Sequence, residues 1–486
     1  MKSEYFKYAV PWLAAAGVLL VGALSWPYTV DDAFIVASYA RNLWQHGSYG
    51  INPGQHSDGV TGPLWLLPFL LGEALGLDSV ALGKIAGLLC SAAAAWLVVV
   101  RMRARSGGRL SGALSGLLLV TSPSLGTWGV GGLQTGAATL LLTIAWLAAT
   151  ERPGPRAVTL GTAIGALAWL RPEMAPVAAW LLWVVLMRRR SAGLRALGLA
   201  AALAALLLLL RLSFFDALLP LSYAAKGGSL GHGLRYVLTS TLLLSTGVGL
   251  GVCVLGAIAG GRDGPVLGVA LLVHLLAVAL AGGDWMPGYR LLVPVLPLYA
   301  VLCAGGLVRL WRRRGRFGPA FSLGLLSISL AAPLLDLATR PEELRKAAES
   351  QRVHGEALAV WLREHAGTVA LVDIGYLGYR SGVRVVDLGA LTDPELAAAP
   401  GGHLDKRVSA AWLRARGPDT LVLHSARPPR VGPGGELLEL DGYPVERRVA
   451  AMAWVRREFR VVEVVPYAPG YHYLVMRISS AASESQ

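Results

Sequence analysis

The segment YAVPWLAAAGVLLVGALSWPYTVDD, residues 8–32, places a long apolar run directly before two adjacent carboxylates. Residues 8–27 are numerous enough to cross a bilayer as a helix. Lys2 and Lys7 make the start of the chain basic, but no small-residue cleavage site precedes Trp26-Pro27, so the run is interpreted as an uncleaved membrane anchor. Asp31 and Asp32 would then lie at the edge of the membrane.

The rest of the chain continues this apolar character. Its 486 residues are 54% hydrophobic and 15% charged, with a mean hydropathy of +0.53, which is typical of a polytopic α-helical membrane protein. About eleven spans are predicted, near residues 8–27, 79–100, 110–123, 135–149, 157–170, 174–187, 196–213, 241–260, 265–281, 291–310 and 317–335.

Basic residues predict the orientation of these spans, because short cytoplasmic loops are rich in Lys and Arg. The clusters at 101–109, 188–195 and 309–316 alternate with loops that are poor in Lys and Arg. This pattern predicts a bacterial inner-membrane protein with a cytoplasmic N-terminus and a periplasmic or extracellular C-terminus. Residues 63–77 would break the alternation if they spanned, so we interpret them as an interfacial or re-entrant helix.

Charge and cysteine content exclude two classes of protein. Residues 1–336 hold 25 of the 44 Lys and Arg and 12 of the 30 Asp and Glu, so the excess of positive charge lies in the membrane region. Topology accounts for this excess, and no nucleic-acid partner is needed. The three cysteines all lie in predicted spans, so neither a disulfide framework nor a CxxC metal site is available.

The last 150 residues, 337–486, differ from the rest. Strand-like runs alternate there with helical stretches, which predicts a C-terminal extracytoplasmic α/β domain. The runs are TVALVDIG, VRVVDLG, DTLVLHS, RVVEVV and HYLVMRI. We therefore divide the chain into a membrane domain, 1–336, with a first outer loop at 28–78, and an α/β domain, 337–486.

The first outer loop is unusually rich in polar side chains. If residues 31–45 form a helix, Asp31 and Asp32 lie in its first turn, where the helix dipole favours negative charge. A solvated loop carboxylate is the simplest interpretation of either residue. A partly buried carboxylate at the membrane edge is also a suitable general base, because burial raises its pKa towards neutral pH.

Cationic residues in other outer loops are candidates for binding a phosphate. They are Arg171, Lys226 and Arg290. The simpler alternative for each is a side chain that reaches towards lipid headgroups.

Other polar residues suggest further contacts. His56 and Asp58 could bind a substrate or, with the Asp pair, a divalent metal, although their spacing matches no specific ligand motif. Asp373, Asp387 and Asp393 follow predicted strands, where they either contact a substrate or act as turn and cap residues.

Several ordered motifs resemble one known family. They are DDAFIVASYARNLWQHGSYGINPGQHSDGVTGPLW in the first loop, WGVGGLQTG, LRPEM, LLPLSYAAKGG, GGDWMPGYRLLVPVLP and DIGYLGYRSGVRVVDLGALTDPELA. They cover nearly the whole chain in the expected order. The chain thus resembles membrane glycosyltransferases of the GT-C type, and among them the terminal arabinofuranosyltransferases of mycobacterial cell-wall assembly.

This resemblance implies an activity and roles for particular residues. A polyprenyl-phosphate sugar, such as decaprenyl-phosphoryl arabinose, would be the donor in an inverting transfer to a cell-envelope glycan or glycoprotein. Asp31 or Asp32 would be the base. The donor would contact Arg41, Arg171, Lys226, Asp284 and Arg290, and the acceptor would contact His56, Asp58, Asp373, Asp387 and Asp393. No cofactor is implied, apart from a divalent metal as an alternative.

Some features differ from the family and some alternatives remain open. Gln134 stands where the family motif has Glu, and Ser222 replaces a more usual Thr or Tyr. A hexosyl or mannosyl transferase with the same donor class is an alternative enzyme. A lipid-linked-sugar transporter and a cell-wall-binding scaffold are alternatives of other classes, although charges in the loops rather than the spans are unlike a transporter.

Overall fold

Helices dominate the first three quarters of the chain in the computed structural model, which describes residues 2–104, 108–152, 154–225, 229–284, 286, 288–313 and 315–479. The α-helices up to the end of this region are α1 Lys2–Leu24, α2 Asp31–His46, α3 Leu66–Leu75, α4 Ser79–Arg103, α5 Gly108–Val120, α6 Pro123–Val130, α7 Thr135–Ala149, α8 Ala157–Leu170, α9 Ala175–Arg188, α10 Arg190–Phe215, α11 Leu221–Ala225, α12 Leu230–Ser245, α13 Val248–Ala259, α14 Gly264–Leu280, α15 Leu296–Arg313, α16 Gly318–Ser350 and α17 Glu356–His365.

Within the described part of the chain, four helices are long and apolar enough to cross a membrane. They are α4, α10, the helix Val293–Arg313 that contains α15, and the continuous helix Gly318–His365. Two bent pairs raise the number to six if each pair is one span: α5 with α6, at 55°, and α12 with α13, at 88°. The protein is therefore a multi-pass membrane protein by the length and composition of its helices.

The prediction of about eleven spans is not confirmed, although each predicted span overlaps a helix. Several apolar helices, such as α7, α8 and α14, have only 14 to 17 residues, which is short for an upright span. The predicted span 241–260 crosses the bend between α12 and α13, where Thr246 and Gly247 both have positive φ. Because apolar composition continues through this bend, the bend could not be predicted from the sequence.

Residues 63–77 form a 3₁₀ turn, Pro63–Trp65, followed by the ten-residue helix α3. This helix is too short to span a bilayer. Its interfacial or re-entrant position stays a prediction.

The C-terminal region is an α/β domain, as the alternation of strand-like and helical runs predicted. Its elements are β1 Thr368–Leu371, α18 Tyr376–Ser381, β2 Arg384–Asp387, α19 Pro394–Ala398, α20 Ala410–Ala415, β3 Thr420–Ser425, β4 Arg430–Val431, β5 Leu437–Glu439, α21 Pro444–Ala451, α22 Ala453–Glu458, β6 Phe459–Ala468 and β7 Tyr471–Ile478. All five predicted strands are present. The short hairpin of β4 and β5 was not predicted.

Five strands form one mixed sheet in the order β2-β1-β3-β7-β6. β1 is parallel to both β2 and β3, and β7 is antiparallel to β3 and β6. The carboxyl ends of the three parallel strands therefore meet at one edge of the sheet. Asp373 and Asp387 lie at this edge, as two of the three aspartates predicted to follow strands.

Helix α2 packs into the core of the α/β domain. Its buried residues Phe34, Ile35 and Tyr39 belong to the same apolar cluster as the sheet residues Leu371 and Leu421. The rings of Phe34 and Tyr376 meet edge to face, with centroids 4.9 Å apart. The first outer loop and the α/β domain are thus one packed unit above the helical bundle, whose own core forms a separate cluster.

Candidate active site

A cavity of about 680 Å³ lies between the helical bundle, the first outer loop and the α/β domain. The first loop contributes Asp32 and residues 59–62, and the bundle contributes Arg171, residues 280–284 and Arg290. The α/β domain closes one side with Leu391, Gly402, His403, Leu404, Asp405 and Pro444. Charged side chains and apolar walls thus share one space at the end of the bundle, as is typical of ligand sites.

Asp31 and Asp32 have different environments, although both lie in the first turn of α2. The Asp31 carboxylate accepts hydrogen bonds from the backbone N–H groups of Gly375 and Tyr376, at 3.0 and 2.7 Å, and does not line the cavity. Asp32 does line the cavity, and its Oδ2 lies 3.9 Å from Nη1 of Arg290. Asp31 therefore joins α2 to the α/β domain, whereas Asp32 is available to a ligand.

The pKa of Asp31 is strongly shifted. Burial, and then the neighbouring Asp373 carboxylate, raise this pKa from its usual 3.8 to about 7, although the N–H groups of Tyr376 and Gly375 oppose the shift. A buried carboxyl beside a second carboxylate is expected to resist ionisation in this way. Such a group is a candidate base by pKa alone, but its position away from the cavity excludes direct contact with a ligand there.

Arg290 links two carboxylates at the cavity. Its Nε lies 2.5 Å from Oδ2 of Asp284, and its side chain also faces Asp32. The loop that carries Arg290 is held by the bundle, because the indole of Trp128 in α6 donates a 3.1 Å hydrogen bond to the carbonyl of Gly288. The guanidinium thus has a defined position beside the cavity.

Arg171 is a second buried guanidinium at the cavity. It follows α8 directly and donates to Oε1 of Glu173 and to the Thr135 hydroxyl, both at 3.0 Å. Its Nε–H is buried and has no hydrogen-bond partner among the described residues. A buried N–H without a partner is costly, so an anionic ligand that accepts this hydrogen bond would be stabilised here.

Three more predicted donor and first-loop residues are placed as follows. Arg41 packs over the ring of Tyr379 at 3.7 Å, away from the cavity lining. Asp58 forms a buried ion pair, in which Nε of Arg211 lies 2.8 Å from its Oδ2. His56 accepts a long hydrogen bond from the backbone N–H of Tyr49. Lys226 lies outside the described residues.

The three predicted aspartates of the α/β domain bind protein groups and do not line the cavity. Asp373 accepts from the hydroxyls of Tyr471 and Tyr473. Asp387 accepts from two backbone N–H groups and from the Thr392 hydroxyl. Asp393 caps α19 and pairs with Arg416. The contacts of Asp387 and Asp393 are those of a turn and a cap residue, whereas Asp373 binds two tyrosine hydroxyls of β7. Acceptor contact stays a prediction for all three.

No group of three or more His, Cys, Asp or Glu side chains with the geometry of a metal site is present among the described residues. Asp58 is already paired with Arg211, so His56, Asp58 and the Asp pair are not gathered around one point. A divalent metal stays a prediction.

Sequence reasoning missed several residues of this region. Arg211 was hidden inside an apolar run that reads as a span, yet its Nη2 donates to the carbonyl of Thr61 at the cavity. Glu173 follows Arg171 closely in LRPEM, and its second oxygen accepts from Tyr223. His403 lies in a Gly-rich loop without a recognisable motif. Of these three residues, only Glu173 could have been predicted from the sequence, because it lies two positions after Arg171, a residue predicted to bind phosphate.

Comparison with known structures defines the class of the fold. The chain has the fold of GT-C-type membrane proteins, with a helical bundle and a C-terminal α/β domain. One similar structure is that of ArnT from Cupriavidus metallidurans bound to undecaprenyl phosphate, with a TM-score of 0.61, 13% identity, and coverage of 96% of this chain and 98% of that chain. The apo state of the same protein matches with a TM-score of 0.59 at the same identity and coverage.

Sequence comparisons add little. A family model described as a domain of unknown function, DUF8728, matches residues 342–476, which is most of the α/β domain. No curated protein sequence matches the chain. The likeness to ArnT, at 13% identity, establishes the fold.

Proposed function

We propose that this protein is a membrane glycosyltransferase that moves a sugar from a polyprenyl-phosphate donor to a cell-envelope glycan or glycoprotein. The observation that carries the proposal is the convergence of Asp32, Arg171 and Arg290 on one cavity at the end of the bundle. The ArnT fold supports it, since one ArnT structure holds undecaprenyl phosphate. Arabinofuranose is the proposed sugar, from the resemblance of the sequence motifs.

The proposed reaction is an inverting displacement. Oxygen of an acceptor hydroxyl forms a bond to the anomeric carbon, while the bond between that carbon and the phosphate oxygen breaks. Asp32 accepts the hydroxyl proton as general base. Polyprenyl phosphate leaves with the electron pair of the broken bond, and its growing negative charge is stabilised by Arg171 and Arg290.

Asp32 is the better candidate base because of its position. Proton transfer needs hydrogen-bond reach to the reacting hydroxyl, directly or through one water. Asp32 borders the cavity, whereas both oxygens of Asp31 accept backbone N–H groups of the α/β domain. Asp31 is therefore proposed to hold α2 in place, so that its neighbour faces the substrate.

The orientation in the membrane belongs to the same proposal. With the N-terminus in the cytoplasm, the cavity and the α/β domain face the outside. The lipid tail of the donor then stays in the bilayer, and the acceptor arrives from water.

The test is sugar transfer by purified protein in detergent, using synthetic polyprenyl-phosphoryl arabinofuranose, mannose and glucose as donors. We expect Asp32→Asn to lower kcat by at least about 100-fold with donor binding retained, because the proton acceptor is lost. Asp31→Asn is the comparison variant on the same helical turn. Its amide oxygen can still accept one of the two backbone N–H groups that hold α2, so it should retain most of the kcat of the wild type.

Three outcomes contradict the proposal in different ways. If no lipid-linked sugar is consumed, the enzyme assignment fails and a transporter or scaffold function replaces it. If mannose or glucose is transferred and arabinofuranose is not, only the sugar is wrong. If Asp32→Asn turns over normally, Asp32 is not the base.

A further inference from the structure

The α/β domain lines the cavity with one polar side chain that can still bind a ligand, that of His403. Of its six lining residues, His403 and Asp405 have polar side chains. The Asp405 carboxylate is already bound by Arg448, with Nη2 2.5 Å from Oδ1. The imidazole of His403 is half-buried and is the remaining polar group that this wall offers to a ligand.

The tautomer of His403 is set by its surroundings. Its Nδ1 lies 2.6 Å from the carbonyl oxygen of Gly389. A carbonyl can only accept, so Nδ1 must carry the hydrogen. In the neutral ring Nε2 therefore has a free lone pair, and no described residue donates a hydrogen bond to it. A hydroxyl group in the cavity is a suitable donor for this nitrogen.

Asp387 fixes the loop that holds this tautomer. Its Oδ1 accepts from the N–H of Gly389, and its Oδ2 accepts from the N–H and hydroxyl of Thr392, all within 2.9 Å. Ala390, which follows Gly389, has a φ of +62°, a backbone conformation that is strained for a residue with a Cβ. A Cβ on Gly389 would overlap the His403 ring. The loop is thus shaped so that imidazole and carbonyl meet.

The chain around His403 is also fixed on its other side. The buried Lys406 Nζ donates to the carbonyls of Ala397 and Ala399, at 2.8 and 2.9 Å. The carbonyl of Leu404 accepts from the N–H of Val445 at 3.1 Å. These contacts leave the His403 ring little freedom, and preorganised groups bind a ligand at lower entropic cost.

We propose that His403 binds the acceptor glycan, with Nε2 accepting a hydrogen bond from one of its hydroxyls. This inference rests on the proposed function and identifies the domain that recognises the acceptor. The guanidinium groups suited to the donor phosphate, Arg171 and Arg290, belong to the membrane domain. His403 belongs to the domain outside the bundle, so the ligand that it meets is the acceptor. Asp387 is then a positioning residue that acts through His403.

The experiment uses two substitutions of His403 that test the positions of its two ring nitrogens separately. His403→Asn keeps an amide near the position of Nδ1 but has nothing at Nε2, whereas His403→Gln reaches the position of Nε2. His365→Asn is the matched control. His365 also has Nδ1 on a carbonyl, that of Trp361 at 2.9 Å, but it is exposed and does not line the cavity.

Binding of short arabinofuranose, mannopyranose and glucopyranose oligosaccharides to the full-length protein in detergent is measured, followed by initial rates. We expect His403→Asn to raise the Kd and KM of the bound oligosaccharide by about 2- to 12-fold, the effect of one neutral hydrogen bond. His403→Gln should recover most of the affinity. The donor KM should be unchanged in every variant.

Several results overturn the assignment. They are unchanged oligosaccharide affinity in a folded His403→Asn variant, an equal loss in the His365→Asn control, a change in donor KM instead of acceptor KM, or no binding of any oligosaccharide by the wild type. The proposed function can fail separately. Oligosaccharide binding through His403 without consumption of any lipid-linked sugar would retain the glycan site and exclude the transferase.

Discussion

Asp31 and Asp32 differ by one position in the chain and by about 100° around helix α2. That rotation directs Asp31 towards the backbone of Gly375 and Tyr376, and Asp32 towards Arg290. In one helical turn, therefore, one carboxylate binds the α/β domain and the other faces the cavity. A buried carboxyl with a raised pKa often marks an active site, yet here the raised pKa belongs to the residue that joins two parts of the fold.

The pKa of Asp31 predicts how stability depends on pH. In the unfolded chain this carboxyl loses its proton near pH 3.8, and in the folded protein near pH 7. Between these values the folded state binds more protons than the unfolded state, so stability falls as pH rises and the contribution is lost above about pH 7. We expect the thermal midpoint of the wild type in detergent to fall between about pH 5 and about pH 8.

The variant Asp31→Asn isolates this contribution, since its amide does not titrate. At acidic pH the folded wild type carries a protonated, neutral Asp31, and the Asn amide is also neutral, so the two thermal midpoints should be similar there. As pH rises, the midpoint of Asp31→Asn should fall less than that of the wild type. Glu446, whose pKa burial raises to about 8, titrates in both proteins and cancels in the comparison. Parallel pH curves for the two proteins would contradict the assignment.

Single residues show where the sequence was informative about the site. Asp32, Arg171 and Arg290 were predicted as charged residues of outer loops, and Asp284 was predicted from the resemblance. The structure places all four at one cavity. Arg41 was predicted from the resemblance, Asp58 as a polar residue of the first loop and Asp373 as a residue after a strand. All three bind protein groups. The sequence shows that a residue is charged, and only tertiary contacts decide whether that charge has a partner.

Helix α2 was predictable to within one residue. Two acidic residues lie in its first turn, and Gly47, with a φ of 64°, ends it after His46. The strands were also predictable, because their runs are short and rich in β-branched residues. The packing of α2 against the α/β domain was not, because the contact between Phe34 and Tyr376 joins positions far apart in the sequence. Hydrophobic periodicity identifies a helix or a strand, but the element against which it packs depends on the whole chain.

The contact between α2 and the α/β domain can be tested at Phe34. This side chain is 7% exposed and packs on Tyr376 and Tyr379, so Phe34→Ala leaves a cavity between the two parts. Such a loss typically costs about 3 to 5 kcal/mol. We expect faster cleavage of the α/β domain by added protease, and a lower thermal midpoint.

Trp44→Ala is the control, because Trp44 lies on the same helix and is 57% exposed. It should have little effect on cleavage or on the midpoint. Equal protease resistance of Phe34→Ala and the wild type would show that α2 is not needed to hold the α/β domain.

At the scale of the whole molecule, the cavity exists only where three parts of the chain meet. The first loop, the bundle and the α/β domain each contribute lining residues, and the chain segments concerned run from Asp32 to Pro444. The GT-C-like architecture and the two-part organisation were predictable from composition and from the resemblance. The number of spans was not, since bends such as that between α12 and α13 leave apolar composition unchanged.

The proposed orientation is tested by labelling single cysteines in intact cells. Cys90, Cys253 and Cys303 are first replaced by Ser or Ala. Arg427→Cys, at a side chain that is 83% exposed in the α/β domain, should react with a membrane-impermeant maleimide. Arg189→Cys, at the exposed junction of α9 and α10, should react only after the membrane is permeabilised. The reverse pattern would place the α/β domain in the cytoplasm.

The shared core of α2 and the α/β domain limits how such proteins can be recombined. A chimera that exchanges only the segment matched by the family model, residues 342–476, leaves Phe34 and Tyr39 facing a foreign surface. The joint would cut through a single apolar core, and the graft would be expected to misfold or detach. With the acceptor bound at His403, as proposed, an exchange of acceptor specificity between relatives would have to transplant two separate stretches together. They are the first outer loop and the C-terminal region, and neither is an independent module.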